Sequence, residues 1–334
     1  MKRISAEAPG RCGIAGNPSD MYGGSVVSCT VAERAKCVIE YGSHTGFVLV
    51  NGDERGNLQT AADLTLRGDK LDIARAALTF LQVDPAEHNL VLSLDTQIPM
   101  RAGMAGSTAM LAAIVGALDA YLGLGLNPYE TAETMRKIEA RVMGVVCGYQ
   151  DQHMAVFGGL NFMTFVGKES LKQEDADPLA VVEPLAGLLL PVPLILAHTG
   201  IQHHSGTVHK SPRERWLAGE PKVRQNYARI GQLGWLAKKA LLKADWGTLG
   251  AIMDENHALV AELGGSGPAN DKLIETARSA GAYGAKLAGA GGGGTIIALT
   301  DDPETVGKAL MEAGAETLLY PRPGAGLKVT LEEV

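Results

Sequence analysis

Aromatic residues make up only 5% of this chain, and its 334 residues include just four cysteines. Cys12, Cys29, Cys37 and Cys147 form no Cys-x-x-Cys pair, which argues against a zinc ribbon or a dithiol redox site. They are expected to be small buried apolar residues in a reducing compartment. A long apolar run is also missing. The longest stretch, 109–126, carries Asp119 and three glycines, too broken for a transmembrane helix. The first residues hold no apolar segment of the signal-peptide kind, so a cytoplasmic location with no membrane partner is expected. Cations are in deficit: the net charge of −7 does not suit a nucleic-acid partner. No Gly-x-x-x-x-Gly-Lys-[Ser/Thr] occurs, which argues against a Walker-type nucleotide loop.

Glycine, by contrast, is abundant, with 42 residues that cluster. An apolar fraction of 46% with 20% charged residues suits a globular core, and the length suits about two domains. The clustering implies close backbone approaches. Short strands with glycine turns are expected over 1–60, and helices over 69–81, 109–122 and 128–142. A strand carries Leu90, Leu92 and Leu94. A glycine turn over 148–151 leads to a strand over 160–166. Beyond an acidic segment, 167–183, come a strand over 188–198, a basic loop over 199–222 and helices near 223–243, 245–262 and 272–280. A strand over 295–300, a helix over 303–313 and a strand over 327–331 end the chain. This mixed order predicts an α+β protein with a break near residue 185, giving domains 1–185 and 186–334.

Five segments carry candidate chemistry. Pro99 to Ala109 joins a strand to a helix through Gly103, Ala105 and Gly106, closed by Ser107 and Thr108. Such a loop presents unpaired N–H groups and a helix dipole to an anion, although an ordinary capped turn has the same composition. Near the start, Arg11 precedes a turn of Gly, Asn, Pro and Asp that ends in Asp20. The arginine suits a phosphate or carboxylate, and the aspartate a polyhydroxylated ligand. Glu139 and Asp151 lie twelve residues apart. One would hold Mg²⁺ and the other orient or deprotonate a hydroxyl, all that phosphoryl transfer asks of a carboxylate pair. The run Lys286–Gly294 matches Gly-x-Gly-x-x-Gly but precedes a strand, the wrong context for a dinucleotide fold. Three histidines over 203–209 lack the cysteine or carboxylate company of a zinc site. That loop reads as a polar substrate contact, with Arg213 or Arg215 available for an anionic group.

The three glycine-rich segments, Pro9–Gly24, Pro99–Ala109 and Lys286–Gly294, occur in an order that resembles the GHMP kinase superfamily over nearly the whole chain. The resemblance implies a two-domain α+β fold, with an N-terminal domain like ribosomal protein S5 domain 2 and a ferredoxin-like C-terminal domain. It implies an ATP- and Mg²⁺-dependent small-molecule kinase, monomeric or homodimeric. Pro99, Gly103, Ala105, Gly106, Ser107, Thr108 and Ala109 would hold ATP. Asp151, in a segment similar to that of galactokinase, would be the base, and Arg11 would steady the transferring phosphoryl group. Glu139 with Ser107 or Thr108 would take Mg²⁺. Asp20, Asn17, Tyr22, Gly23, Gly148, Gln150, Thr199, Ser205, Arg213, Arg215, Gly289, Gly291 and Gly292 would meet the substrate. The turn Gly16-Asn17-Pro18-Ser19-Asp20 departs from galactokinase, mevalonate kinase and heptose-phosphate kinase types. It looks most like glucuronokinase, as does the run Ser205 to Trp216. The implied substrate is a uronic acid phosphorylated at its anomeric hydroxyl. A heptose phosphate or other sugar is the alternative, and a sugar- or nucleotide-binding sensor without turnover a further one.

Overall fold

The computed structural model describes residues 2–99, 102–168, 178–200, 211–289 and 294–333. Two long strands open the chain. β1 (Lys2–Ala15) and β2 (Ser25–Tyr41) run antiparallel, with Ile4 opposite Ile39 and Cys12 opposite Cys29. The expectation of short strands here is corrected. Gly10 and Gly13 stand inside β1, where a Cβ on Gly10 would come within 2.9 Å of the Met104 carbonyl oxygen. The register shifts between Pro9 and Arg11 and between Gly13 and Ala15. These glycines serve close approach and bulges, not turns.

β5 (Asn89–Thr96) pairs antiparallel with β2; β3 (Gly46–Asn51) lies parallel to β5, and β4 (Glu54–Leu58) closes that edge. β6 (Leu160–Thr164) pairs with the start of β2, and β7 (Val181–Pro184) pairs with β6. The eighth strand of this sheet, β12 (Lys328–Glu333), returns from the far end of the chain onto β1, with Val329 opposite Ala6. A single division near residue 185 leaves this return out.

The helix α2 (Gly106–Leu122) is buried without a break from Thr108 to Leu118. Its sequence is apolar on every side, the pattern of a fully enclosed helix. It packs on β1 and β2, beside α1 (Asp72–Phe80), α3 (Pro128–Lys137) and α4 (Gln150–Phe157). At the start of α3, Asn127 accepts the N–H groups of Tyr129 and Glu130, and Glu130 returns the bond. The helix expected over 128–142 ends in a wider π turn, Ile138–Val142.

A second sheet runs β11 (Thr317–Leu319), β8 (Leu194–His198), β10 (Thr295–Leu299), β9 (Gly284–Leu287), all antiparallel. Against it pack α8 (Pro268–Ser279) and α9 (Pro303–Glu312), around Ile195, Ile274, Ile296 and Leu310. α6 (Pro221–Leu241) lies against β2, and α7 (Trp246–Glu262) against β9. The fold is α+β. The glycine run follows β9 as well as preceding β10, contrary to expectation, so it joins two antiparallel strands. The expected basic loop contains α5 (Pro212–Leu217), where Ser211 and Glu214 cap each other around Pro212. Among the described residues, no helix is long and apolar enough to cross a membrane.

Candidate active site

The loop before α2 is built for close contact. Gly103 has φ +76°, and Ala105, the N-cap, has φ +58°, a left-handed backbone that costs a non-glycine residue roughly 1 kcal/mol. The first intrahelical bond runs from the Ala109 amide to the Ala105 carbonyl at 2.9 Å. The amides of Gly106, Ser107 and Thr108 therefore precede any helical acceptor and are placed to meet an anion. Gly289 stands behind the loop, where a Cβ would reach within 2.7 Å of the Gly103 carbonyl oxygen.

β1 brings Arg11 to this loop. Its backbone amide donates to Met104 O at 3.0 Å, and its Nη1 donates to Gly103 O at 2.7 Å. Its Nε and Nη2 both meet Asp151 Oδ1, at 2.7 and 2.6 Å. Asp151 stands in the first turn of α4, not in the expected glycine turn. Asp20 caps that helix from the other end of the chain. Its Oδ2 accepts the amides of Tyr149 at 2.8 Å and Gln150 at 2.9 Å. A Cβ on Gly148 would come within 2.0 Å of the same oxygen. Burial pushes the Asp20 carboxyl up, and the charge of Asp151 adds to the push. Among the described residues, the buried Gln150 side-chain oxygen finds no hydrogen-bond partner.

Glu139 lies in the π turn. Its Oε1 accepts the Thr108 hydroxyl at 2.7 Å, and its Oε2 accepts the Gln152 amide. Burial is the first cause of a raised pKa, and the Asp151 charge also raises it. A cation here would relieve that cost. Glu139, Thr108 and exposed Ser107 supply hard oxygen donors of the kind Mg²⁺ takes alongside substrate phosphates. Among the described residues, no three His, Cys, Asp or Glu side chains converge as a metal cage, and Mg²⁺ in such sites needs only one or two carboxylates.

These groups line one cavity of about 1130 Å³. Of the residues singled out from sequence, it gathers Arg11, Asn17, Asp20 and Tyr22, then Pro99, Gly103, Ala105, Gly106, Ser107 and Thr108. It also gathers Glu139, Gly148, Gln150, Asp151 and Arg213. Gly23, Ala109, Thr199, Arg215 and Gly289 do not line it. The Arg215 guanidinium is taken by Glu220, Nε to Oε2 at 2.8 Å and Nη2 to Oε1 at 2.6 Å. Ser205, Gly291, Gly292 and the three histidines of 203–209 lie outside the described residues. Sequence reasoning missed one apolar end of the cavity, where Ile73, Ile98, Met110, Met143, Val145 and Val146 meet. It also missed an aromatic shelf. Tyr22 lies 4.0 Å from Tyr227 and 5.1 Å from Trp216, ring centre to centre.

Known proteins place this architecture. Residues 72–159 match the family described as GHMP kinases N terminal domain, and residues 237–316 that described as GHMP kinases C terminal. The chain is 30% identical to probable glucuronokinase 2 of Arabidopsis thaliana, over 89% of this chain and 84% of the relative. It is 28% identical to D-glycero-alpha-D-manno-heptose 7-phosphate kinase of Campylobacter jejuni, over 90% of each. The structure of Lactococcus lactis galactokinase complexed with galactose superposes with a TM-score of 0.79 at 18% identity, covering 98% of this chain and 95% of that one. An anion loop at a buried helix, a buried arginine on an aspartate and matches to both halves lead to one assignment: the chain belongs to the GHMP kinase family, phosphotransferases that act on an alcohol group of a small molecule.

Proposed function

We propose that this kinase transfers the γ-phosphoryl group of ATP to the anomeric hydroxyl of a uronic acid. The observation that carries the substrate is Arg213. It lines the cavity at the aromatic shelf, close enough to Tyr22 for its charge to act on the phenol. No acceptor for its guanidinium is found among the described residues, whereas Arg11, Lys70 and Arg215 each hold a carboxylate. A sugar ring laid on Tyr22 and Tyr227 would turn an acidic group toward Arg213, where a bidentate pair forms readily. Likeness to glucuronokinase supports a carboxylate as that group.

In this reading the amides of 106–108 take the phosphates, and the apolar end of the cavity takes the base. Arg11 occupies only Oδ1 of Asp151, so Oδ2 is left to accept the hydroxyl proton as the acceptor oxygen attacks phosphorus. Glu139, Thr108 and Ser107 would hold Mg²⁺, which neutralises phosphate charge when bound. Gln150 supplies an unused acceptor for a sugar hydroxyl. The likeness to a heptose 7-phosphate kinase favours a second reading, with Arg213 on a phosphate instead.

The test is a coupled ADP-release screen with Mg-ATP and D-glucuronate, D-galacturonate, neutral hexoses, a heptose 7-phosphate and mevalonate, the product read by phosphorus NMR. Turnover of a uronate to its 1-phosphate is expected, with KM raised in Arg213→Ala. Turnover of the heptose phosphate alone selects the second reading. Turnover only of neutral hexoses or mevalonate overturns both.

A further inference from the structure

Lys286 is the third residue of β9 and is 1% exposed. Its ammonium donates to three oxygens: Asn17 Oδ1 at 2.8 Å, Leu287 O at 2.5 Å and Gly13 O at 3.2 Å. None is a carboxylate. The charged or titratable groups that act on it are Arg11 and Cys12 on β1 and His257 on α7. A buried ammonium held only by neutral acceptors is costly, and an apolar side chain of the same length would fill the space more cheaply. Stability alone does not account for this lysine.

Its neighbours do. Asn17 uses its other end, Nδ2, to hold Gly289 O at 2.7 Å. The Gly13 amide holds Ala288 O at 2.7 Å, and α7 fixes the same turn through Asn256, whose side chain binds Gly16 N and Asn17 O. Gly289 in turn lies against the Gly103 carbonyl, the oxygen that Arg11 Nη1 grips. One chain of contacts thus runs from Lys286 through Asn17, Gly289 and Gly103 to Arg11 and Asp151. It joins the turn after β1, the loop before α2 and the start of the β9–β10 connection.

We propose that Lys286 is a positioning residue for phosphoryl transfer: its ammonium fixes Asn17, and Asn17 seats Gly289 against the carbonyl that orients Arg11. The proposal rests on Arg11 and Asp151 acting at the reacting centre, as argued above. Burial pushes the Lys286 ammonium down to about 7, so a rise in pH removes one of its three donors.

Lys286→Met tests this. With D-glucuronate and Mg-ATP, kcat is expected to fall roughly 10- to 100-fold, the effect of a small misplacement of reacting groups, while KM for the sugar holds. Affinity for Mg-AMP-PNP by calorimetry should fall about tenfold, or 1.4 kcal/mol. The melting temperature should stay level or rise, and the alkaline fall of wild-type kcat should disappear. A purely structural lysine would give the reverse, a lower melting temperature with unchanged kcat. Asn17→Asp is the companion variant. It gives the ammonium an anion but removes the donor to Gly289, so it should fold well and still lose activity. Values of kcat and analogue affinity within about twofold of wild type in either folded variant overturn the proposal. Should the wild-type chain ignore glucuronate, the substrate reading is at fault and analogue affinity decides the role of Lys286. Absence of nucleotide binding in the wild type sinks both.

Discussion

Arg11 spends two nitrogens on one oxygen of Asp151 and a third on a loop carbonyl. A guanidinium so fully committed is held rigidly, and the carboxylate it holds keeps its second oxygen outside that grip. Asp151→Asn removes the proposed proton acceptor and leaves Arg11 facing a neutral amide. Its kcat is expected to drop by about 10²- to 10⁴-fold with Mg-AMP-PNP affinity nearly unchanged, measured by ADP release and calorimetry. A second residue-scale prediction concerns His153. Burial pushes its imidazole down to about 4, and its Nδ1 is taken by Tyr149 O at 2.7 Å. The unfolded chain binds that proton near pH 6.5, the native one only near 4. Native stability is therefore whole above pH 6.5 and is lost as pH falls from there to 4. Melting temperatures across that range should fall, and fall less in His153→Met.

The element that decides the site is α4, eight residues capped by a carboxylate about 130 positions away. Asp20→Ala should cost about 1 kcal/mol in denaturant unfolding, the ordinary loss of an N-cap, and lower kcat through Asp151. Asp20→Asn keeps an oxygen acceptor and should recover most of both. Gly148→Ala should be worse than either, because its Cβ would collide with the Asp20 carboxylate. The apolar run of α2 and the glycines before it were readable from sequence, since burial on all sides and a Gly-Ser-Thr start are local properties. The place of Asp151 on a helix was not, because its cap comes from Asp20 and no nearby residue signals a helix start. The opposite holds for α5. Ser211, Pro212 and Glu214 are a local capping signature that the basic character of 199–222 obscured.

At the scale of the whole molecule, the chain returns from the second sheet to the first. β12 runs back onto β1, and Leu327 just before it rests on Gly116 of α2, where a Cβ would come to 2.9 Å. Gly116→Val should destabilise by about 1–3 kcal/mol in chemical unfolding, an overpacking cost, without touching the cavity. The order of the glycine segments made the family and the general site legible. The apolar end of the cavity and the gathering of Tyr22, Tyr227 and Trp216 into a shelf were not, since the residues that form them are far apart in the chain and only Tyr22 and the run ending in Trp216 carried a sequence signal. The contact of Gly289 with the carbonyl of Gly103 has an evolutionary side. A Cβ at Gly289 would reach within 2.7 Å of the Gly103 carbonyl oxygen, so the backbone at the two positions is expected to vary as one unit. A chimera that borrows 99–108 from a relative is expected to need the matching residue at 289 as well, together with Arg11, which holds Gly103, and Asn17, which holds Gly289. In the proposed reading, substrate preference rests largely on Tyr227 and Arg213, outside that unit, and is free to drift while the proposed phosphate seat stands still.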